Sequence, residues 1–172
     1  MKARRPLPTT ETLRGLFSYD PGAGVVRWRI ATRGRGGHIP AGAIAGTKTE
    51  GYGKVTINQT TYPTHRVIWK IWYGTEPPDY IDHIDGNKAN NKISNLRAAT
   101  CAQNMANRTS SALNTTGYKG VSKNAGAYVA WITVNYRQRY LGRYRTAAEA
   151  HDAYAAAALA LHGEFANAGG AP

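Results

Sequence analysis

The stretch from Tyr128 to His162 constrains this chain more than any other. Tyr128-Val129-Ala130-Trp131-Ile132-Thr133-Val134 is a β-rich run preceded by the turn residues Asn124-Ala125-Gly126, and Arg139-Tyr140-Leu141-Gly142-Arg143-Tyr144 supplies another. Thr146 and Glu149 then form a T-x-x-E capping box that opens an Ala-rich helix, and Gly163 closes it. Ala150, Ala153, Tyr154, Ala157, Ala158 and Leu161 recur at helical spacing on one face. Small alanines let such a helix lie close against a sheet. The expectation is three short strands packed on one helix. Tyr128, Ala130 and Ile132 would face the helix, and alternation would turn Trp131 and Thr133 outward.

Charge divides along the same line. Residues 117–145 hold six Lys/Arg and no acid, while 146–172 hold three acids and neither Lys nor Arg. The sheet side is therefore the basic one. Residues 1–54 add ten Lys/Arg against three acids, and the whole chain carries a net +12. Such a balance favours a polyanionic partner. No window of about 18 apolar residues exists, which excludes a helical membrane span. The basic start Met1-Lys2-Ala3-Arg4-Arg5-Pro6 runs into Thr9, Thr10, Glu11 and Arg14 in place of an apolar core, so no secretory signal is expected. A single cysteine, Cys101, excludes a disulfide framework and a Cys-rich zinc ribbon, and a reduced intracellular setting is expected.

Before the centre, the chain reads as Gly-rich hairpins. Val55, Ile57 and Tyr62 alternate about a turn at Asn58-Gln59, and Arg33-Gly34-Arg35-Gly36-Gly37 reads as a flexible basic loop. Thr64 is placed to cap a short helix with Val67, Ile68, Ile71 and Trp72 as its apolar stripe, ended by Gly74 and Pro77-Pro78.

The centre gathers Glu76, Asp79, Asp82 and Asp85 within ten residues of an otherwise basic chain. A solvated acidic turn accounts for that; so does a divalent cation. Ile81 to Ile84 reads as a strand, Gly86 to Ser94 as a polar loop, Leu96 to Thr100 as a second strand, and Ala102 to Arg108 as the start of a helix. Such a ββα unit would bring strand and helix together around a metal. Asp82 supplies an anionic oxygen and Asn104 a neutral one, ligands suited to magnesium or manganese rather than zinc. His83 would take a proton from water near neutral pH.

The run DHIDGNKANNKISNLRAATCAQN resembles the HNH motif of phage-type and homing endonucleases. The resemblance implies that His83 is the general base, that Asn95 is the central Asn bracing the loop between strands, and that Asp82 and Asn104 are metal ligands. Asp85 and Asn87 shape the loop and are not ligands. Leu16-Phe17-Ser18-Tyr19-Asp20-Pro21 and His65-Arg66-Val67-Ile68-Trp69 resemble the N-terminal half of phage HNH endonucleases, with His65 read as a packing or capping residue. Gly117-Tyr118-Lys119-Gly120-Val121, the two β-rich runs and Thr146-Ala147-Ala148-Glu149-Ala150 resemble the Apetala2 (ethylene-response-factor) DNA-binding domain. That family places its sheet in the major groove.

The chain is therefore expected to be α+β: a ββα-metal nuclease core with a β-rich N-terminal part, and a C-terminal three-stranded sheet on one helix. The expected domains are residues 1–110 for the nuclease with its basic module, 111–116 for a linker, and 117–168 for the DNA-reading domain. The activity implied is metal-dependent hydrolysis of DNA, leaving a 5′-phosphate and a 3′-hydroxyl, by a phage-encoded enzyme in the host cytoplasm. Magnesium is the expected ion, ahead of manganese and then zinc. Double-stranded DNA is the expected partner, bound by a monomer through Arg97, Lys119, Lys123, Trp131, Arg137, Arg139 and Arg143, with Lys88 and Lys92 near the site. The competing class is a DNA-binding regulator with a decayed centre, against which the intact Asp82, His83, Asn95 and Asn104 argue. An RNA-binding protein is disfavoured by the absence of an aromatic RNP-like strand.

Overall fold

A computed structural model describes residues 5–34, 36–47, 51–109 and 114–169. Arg35 and residues 111–113 of the expected linker lie outside the described residues. The chain divides into two compact units, Met1–Ala98 and Ala99–Pro172. The division falls at the end of the second central strand, so the helix bearing Asn104 groups with the C-terminal unit, whereas the expected boundary lay beyond it.

The first unit begins with α1 (Thr10–Leu16), whose first turn is capped by Thr9 accepting from the Thr12 amide. It continues through three hairpins: β1 (Phe17–Asp20) with β2 (Val25–Trp28), β3 (Thr32–Gly34) with β4 (Gly37–Ile39), and β5 (Lys54–Ile57) with β6 (Thr60–Pro63). The second corrects the flexible-loop reading: Thr32 pairs with Ile39 and Gly34 with Gly37. In the third, Asn58 and Gln59 both take positive φ, the geometry of a tight primed turn. Then come α2 (Thr64–Tyr73), β7 (Tyr80–His83), a 3-10 turn (Ile93–Asn95) and β8 (Leu96–Ala99), with β7 and β8 paired.

Helix α2 corrects two expectations. Its N-cap is Pro63 and not Thr64, which is the first helical residue, and no side chain caps that end. Its buried stripe holds Val67, Ile68 and Ile71, while Trp72 is half-exposed. Lys70, buried on that helix, is matched by an ion pair with Glu76. These residues close over Leu13, Phe17, Val26, Val55, Ile57, Ile81 and Leu96 to make one core. Several arginines brace this unit from within. Arg14 donates to the Ile71 carbonyl, Arg29 to that of Phe17, and Arg66 to those of Pro77 and Pro78.

The second unit holds α3 (Cys101–Ala106), β9 (Val121–Asn124), β10 (Ala127–Val134), β11 (Arg137–Tyr144), α4 (Ala147–His162) and a 3-10 turn (Gly163–Phe165). The strands form one antiparallel sheet in the order β11-β10-β9, and α4 packs on it. The Thr146–Glu149 capping box forms as expected. Ala150, Tyr154 and Ala158 are buried beneath Ala130 and Ile132, but Leu161 is exposed and does not belong to the packed face.

No helix among the described residues is long and apolar enough to cross a membrane.

Candidate active site

Strand β7 carries Ile81 into the core and sets Asp82 and His83 beside it, both under 5% exposed. Burying a carboxylate is costly unless it is paired. Arg97 on β8 meets that need: its Nε and Nη2 donate to Asp82 Oδ2 at 2.9 and 2.8 Å.

His83 is oriented by a residue that the sequence reading did not single out. Its Nε2 lies 3.0 Å from Asn91 Oδ1, and Asn91 is itself buried. Tyr19 from the first hairpin holds that loop. Its hydroxyl donates to the Asn91 carbonyl at 3.0 Å and accepts from the Ile93 amide at 2.8 Å. Burial raises the pKa of the Tyr19 phenol, opposed by the Ile93 amide and helped by Asp20 and Tyr73. At Gly24, in the turn of the same hairpin, a Cβ would stand 2.6 Å from the Lys92 amide nitrogen, so no side chain is admitted there.

Asn95 sits where the loop rejoins the strands and bridges both. Its carbonyl accepts from the Ile84 amide, its Oδ1 from the Asp85 amide, and its Nδ2 donates to Asp85 Oδ1 and the Asn90 carbonyl. Asp85 also accepts from the Asn87 amide and from Asn90 Nδ2, which closes the loop on itself. Burial pushes the Asp85 carboxyl up, but bonds from Asn90, Asn95 and the Asn87 amide, with the charge of His83, hold it below the ordinary value.

An aromatic wall flanks His83. The His65 ring lies 5.4 Å away, edge to face, and Tyr52 touches both rings at 5.1 and 5.8 Å. Lys88 Nζ stands 5.1 Å above Tyr52. His65 is thus buried in packing at the second position of α2, and not at its cap.

A family model described as HNH endonuclease matches residues 62–106, the span that holds Asp82, His83, Asn91, Asn95 and Arg97. Protein 3.8 of Escherichia phage T7 is 36% identical over 104 residues, covering 53% of this chain and 86% of that protein. The chain belongs to the HNH endonuclease family. An uncharacterized HNH endonuclease of Acanthamoeba polyphaga mimivirus is 40% identical over 104 residues, covering 59% of this chain. The chain spans about half, 54%, of the length of that relative.

In this HNH chain no three His, Cys, Asp or Glu side chains gather around one point among the described residues. A hard cation does not require that. One carboxylate with amide oxygens, phosphate oxygens and water is a donor set a hard cation takes, and here Arg97 already engages Oδ2 of Asp82. Asn104 lies on α3 in the second unit, half-buried, its amide bonded to the Thr100 carbonyl at 3.0 Å.

The remaining basic and aromatic residues of the HNH chain divide by register. Residues opposite one another in an antiparallel pair share a face. Trp131 pairs with Tyr140, both are exposed, and their ring centroids are 5.2 Å apart. Arg143 pairs with Val129, on the same side by alternation. Arg139 pairs with the buried Ile132, Arg137 with Val134, and Lys123 with Tyr128, on the side that receives α4. Lys119 differs from all of them. Its Nζ donates to the carbonyls of Ala106 at 2.8 Å and Asn167 at 2.7 Å.

Proposed function

We propose that this chain is a metal-dependent DNA endonuclease that hydrolyses phosphodiester bonds, with His83 as general base. The observation that carries this reading is the buried Asp82–His83 pair. Its carboxylate is matched by Arg97 and its imidazole is oriented by Asn91. The Asn91 contact fixes the ring, so the imidazole is presented as an oriented base for a water molecule. The water oxygen then forms the new bond to phosphorus while the 3′ oxygen leaves, giving a 5′-phosphate and a 3′-hydroxyl. Asn95 keeps the loop from moving as charge develops. Asp82 and Asn104 are the residues that would hold a divalent ion, magnesium ahead of manganese and zinc. Such an ion stabilises charge on the scissile phosphate.

The C-terminal unit reads DNA in this proposal. Its three-stranded sheet on one helix is the architecture of the Apetala2-type domain, and its outward face presents Trp131, Tyr140 and Arg143. Lys123, Arg137 and Arg139, on the other side of the sheet by register, add positive charge to the unit but lie away from that face. The viral relatives favour a virus-encoded protein; that it is a phage-type enzyme, free-standing or homing, acting as a monomer on duplex DNA in a host cytoplasm is part of the same proposal. Arg97, paired with Asp82, lies where it would also meet a phosphate.

Incubation with supercoiled plasmid and magnesium, with and without EDTA, tests the reading. Nicked or linear product that EDTA abolishes is expected, and His83→Ala should lower turnover by about 100- to 10,000-fold with duplex affinity intact. No cleavage with any metal would show a DNA-binding regulator instead.

A further inference from the structure

We infer that Lys119 and Asn167 are positioning residues that hold the helix carrying Asn104, so the C-terminal unit is a platform for a metal ligand as well as a DNA reader. The link to catalysis rests on the nuclease reading above; the clamp itself does not.

Helix α3 has six residues, against the roughly 12–15 that an isolated helix needs to be even marginal in water. Its start is secured locally. Thr100 and Gln103 form a reciprocal capping box. Its end is a different matter, because the last carbonyls of any helix lack partners within it. Here two consecutive carbonyls receive side-chain donors from the far ends of the same unit. Lys119 Nζ reaches Ala106 O at 2.8 Å, and Asn167 Nδ2 reaches Asn107 O at 2.9 Å. The two clamps are tied together, since Lys119 also donates to the Asn167 carbonyl. Asn107 is buried to 3% exposure, and α3 packs on α4 and the 3-10 turn at Phe165.

The aim of Lys119 is built into the chain. Its Nζ lies 5.9 Å from the Tyr154 ring centroid. The next residue, Gly120, has φ +75°, and a Cβ there would stand 2.0 Å from the Tyr154 ring, so the backbone passes against that ring. Burial lowers the Lys119 pKa to about 8. A lysine that serves a phosphate stays solvated and carries its full charge. This one faces inward and ties off a helix end, as lysines near helix C-termini do.

The test uses the full chain carrying Lys119→Met or Asn167→Ala, with Arg143→Ala for comparison. Amide exchange across residues 101–107, measured without metal or DNA, should quicken about tenfold or more in the first two variants relative to β10 and α4 of the same protein. The magnesium concentration for half-maximal nicking should rise about tenfold in both, with the salt dependence of duplex binding unchanged. Two results would overturn the inference. One is unaltered exchange of α3 in both variants. The other is a salt slope flattened by about one in Lys119→Met with an unaltered magnesium requirement, which would make Lys119 a phosphate contact. If wild-type protein cleaves no DNA with any metal, the nuclease reading falls, and the exchange measurement alone decides the clamp.

Discussion

His83 Nε2 and Asn91 Oδ1 lie 3.0 Å apart in the buried centre of the first unit. A carbonyl oxygen only accepts, so Nε2 is the donor in this contact and the ring is held in one orientation. Asn91 is held in turn by Tyr19, so the orientation of the base is set from the first hairpin.

Asn91→Ala should therefore lower the single-turnover rate by about 10- to 100-fold while the magnesium requirement stays as it was. Nitrogen-15 spectra of the metal-free protein should show the His83 ring losing its single tautomer. A variant with wild-type turnover and an unchanged spectrum would remove Asn91 from the positioning of the base.

Asp82→Ala should cost folding as well as activity. It leaves the Arg97 guanidinium, 14% exposed, without its carboxylate. Removing one partner of a buried pair costs about 3–5 kcal/mol. Extra magnesium then restores part of the activity of Asn104→Ala but little of Asp82→Ala. Denaturant unfolding of Asp82→Ala beside Asp82→Ala/Arg97→Met separates the two costs, because the double variant should recover stability without recovering cleavage. Equal stability of the single and double variants would show that the ion pair carries no such penalty.

Much of this was legible in the sequence because the signals are local. The Thr146–Glu149 capping box, the alternating strands and the turn at Asn58-Gln59 depend on neighbours a few residues apart, and each formed as the pattern required. The misses are long-range or competitive. Thr64 has the chemistry of a cap, but Pro63 takes the position because its fixed φ suits helix entry. The glycines around Arg35 read as flexibility, yet Gly34 and Gly37 pair across a tight hairpin. The contacts that Asn91, Tyr19 and Lys119 make gave no local signal. Tyr19 meets its loop 72 residues away and Lys119 meets Asn167 at a separation of 48, and no spacing rule connects such pairs. His65 was visible as a buried helix residue, but its edge contact with His83 belongs to the fold.

The second unit should gain stability as pH rises from about 8 to 10 and lose it as pH climbs from there toward 12. Lys119 is shifted down to about 8 from 10.5 by burial, so between those values the unfolded chain binds the extra proton and stability climbs with pH. His162 acts in the same sense lower down, its pKa depressed by burial and by Lys119 against the Thr133 backbone. Tyr154 opposes them at high pH. Burial raises its phenol to about 12 from 10.0, so its stabilising contribution is complete below 10 and fades as pH climbs toward 12. Local amide exchange in β10 and α4 across a pH series, corrected for intrinsic rates, reads this directly. Lys119→Met should flatten the segment between pH 8 and 10 and weaken the His162 contribution at lower pH. A profile identical to wild type there would mean that Lys119 is solvated.

The sheet register makes the final prediction, which separates the outward face from the helix-side face. Each phosphate contact contributes about 0.9 to the slope of log affinity against log salt on duplex DNA. Arg143, on the face of Trp131 and Tyr140, should take that amount with it when changed to alanine. Trp131→Ala should weaken binding without altering the slope, since an aromatic contact releases no counterion. Arg139→Ala, opposite the buried Ile132, should leave both nearly unchanged. Single substitutions suit this question better than deleting residues 117–172, because the deletion also removes Lys119 and Asn167 from the end of α3. Binding of a long duplex over a salt series gives the slopes, and mapped cut sites on the same duplex give the preference. A loss of slope in Arg139→Ala with none in Arg143→Ala would place DNA on the other side of the sheet. The outward aromatic pair would then have no part in reading sequence.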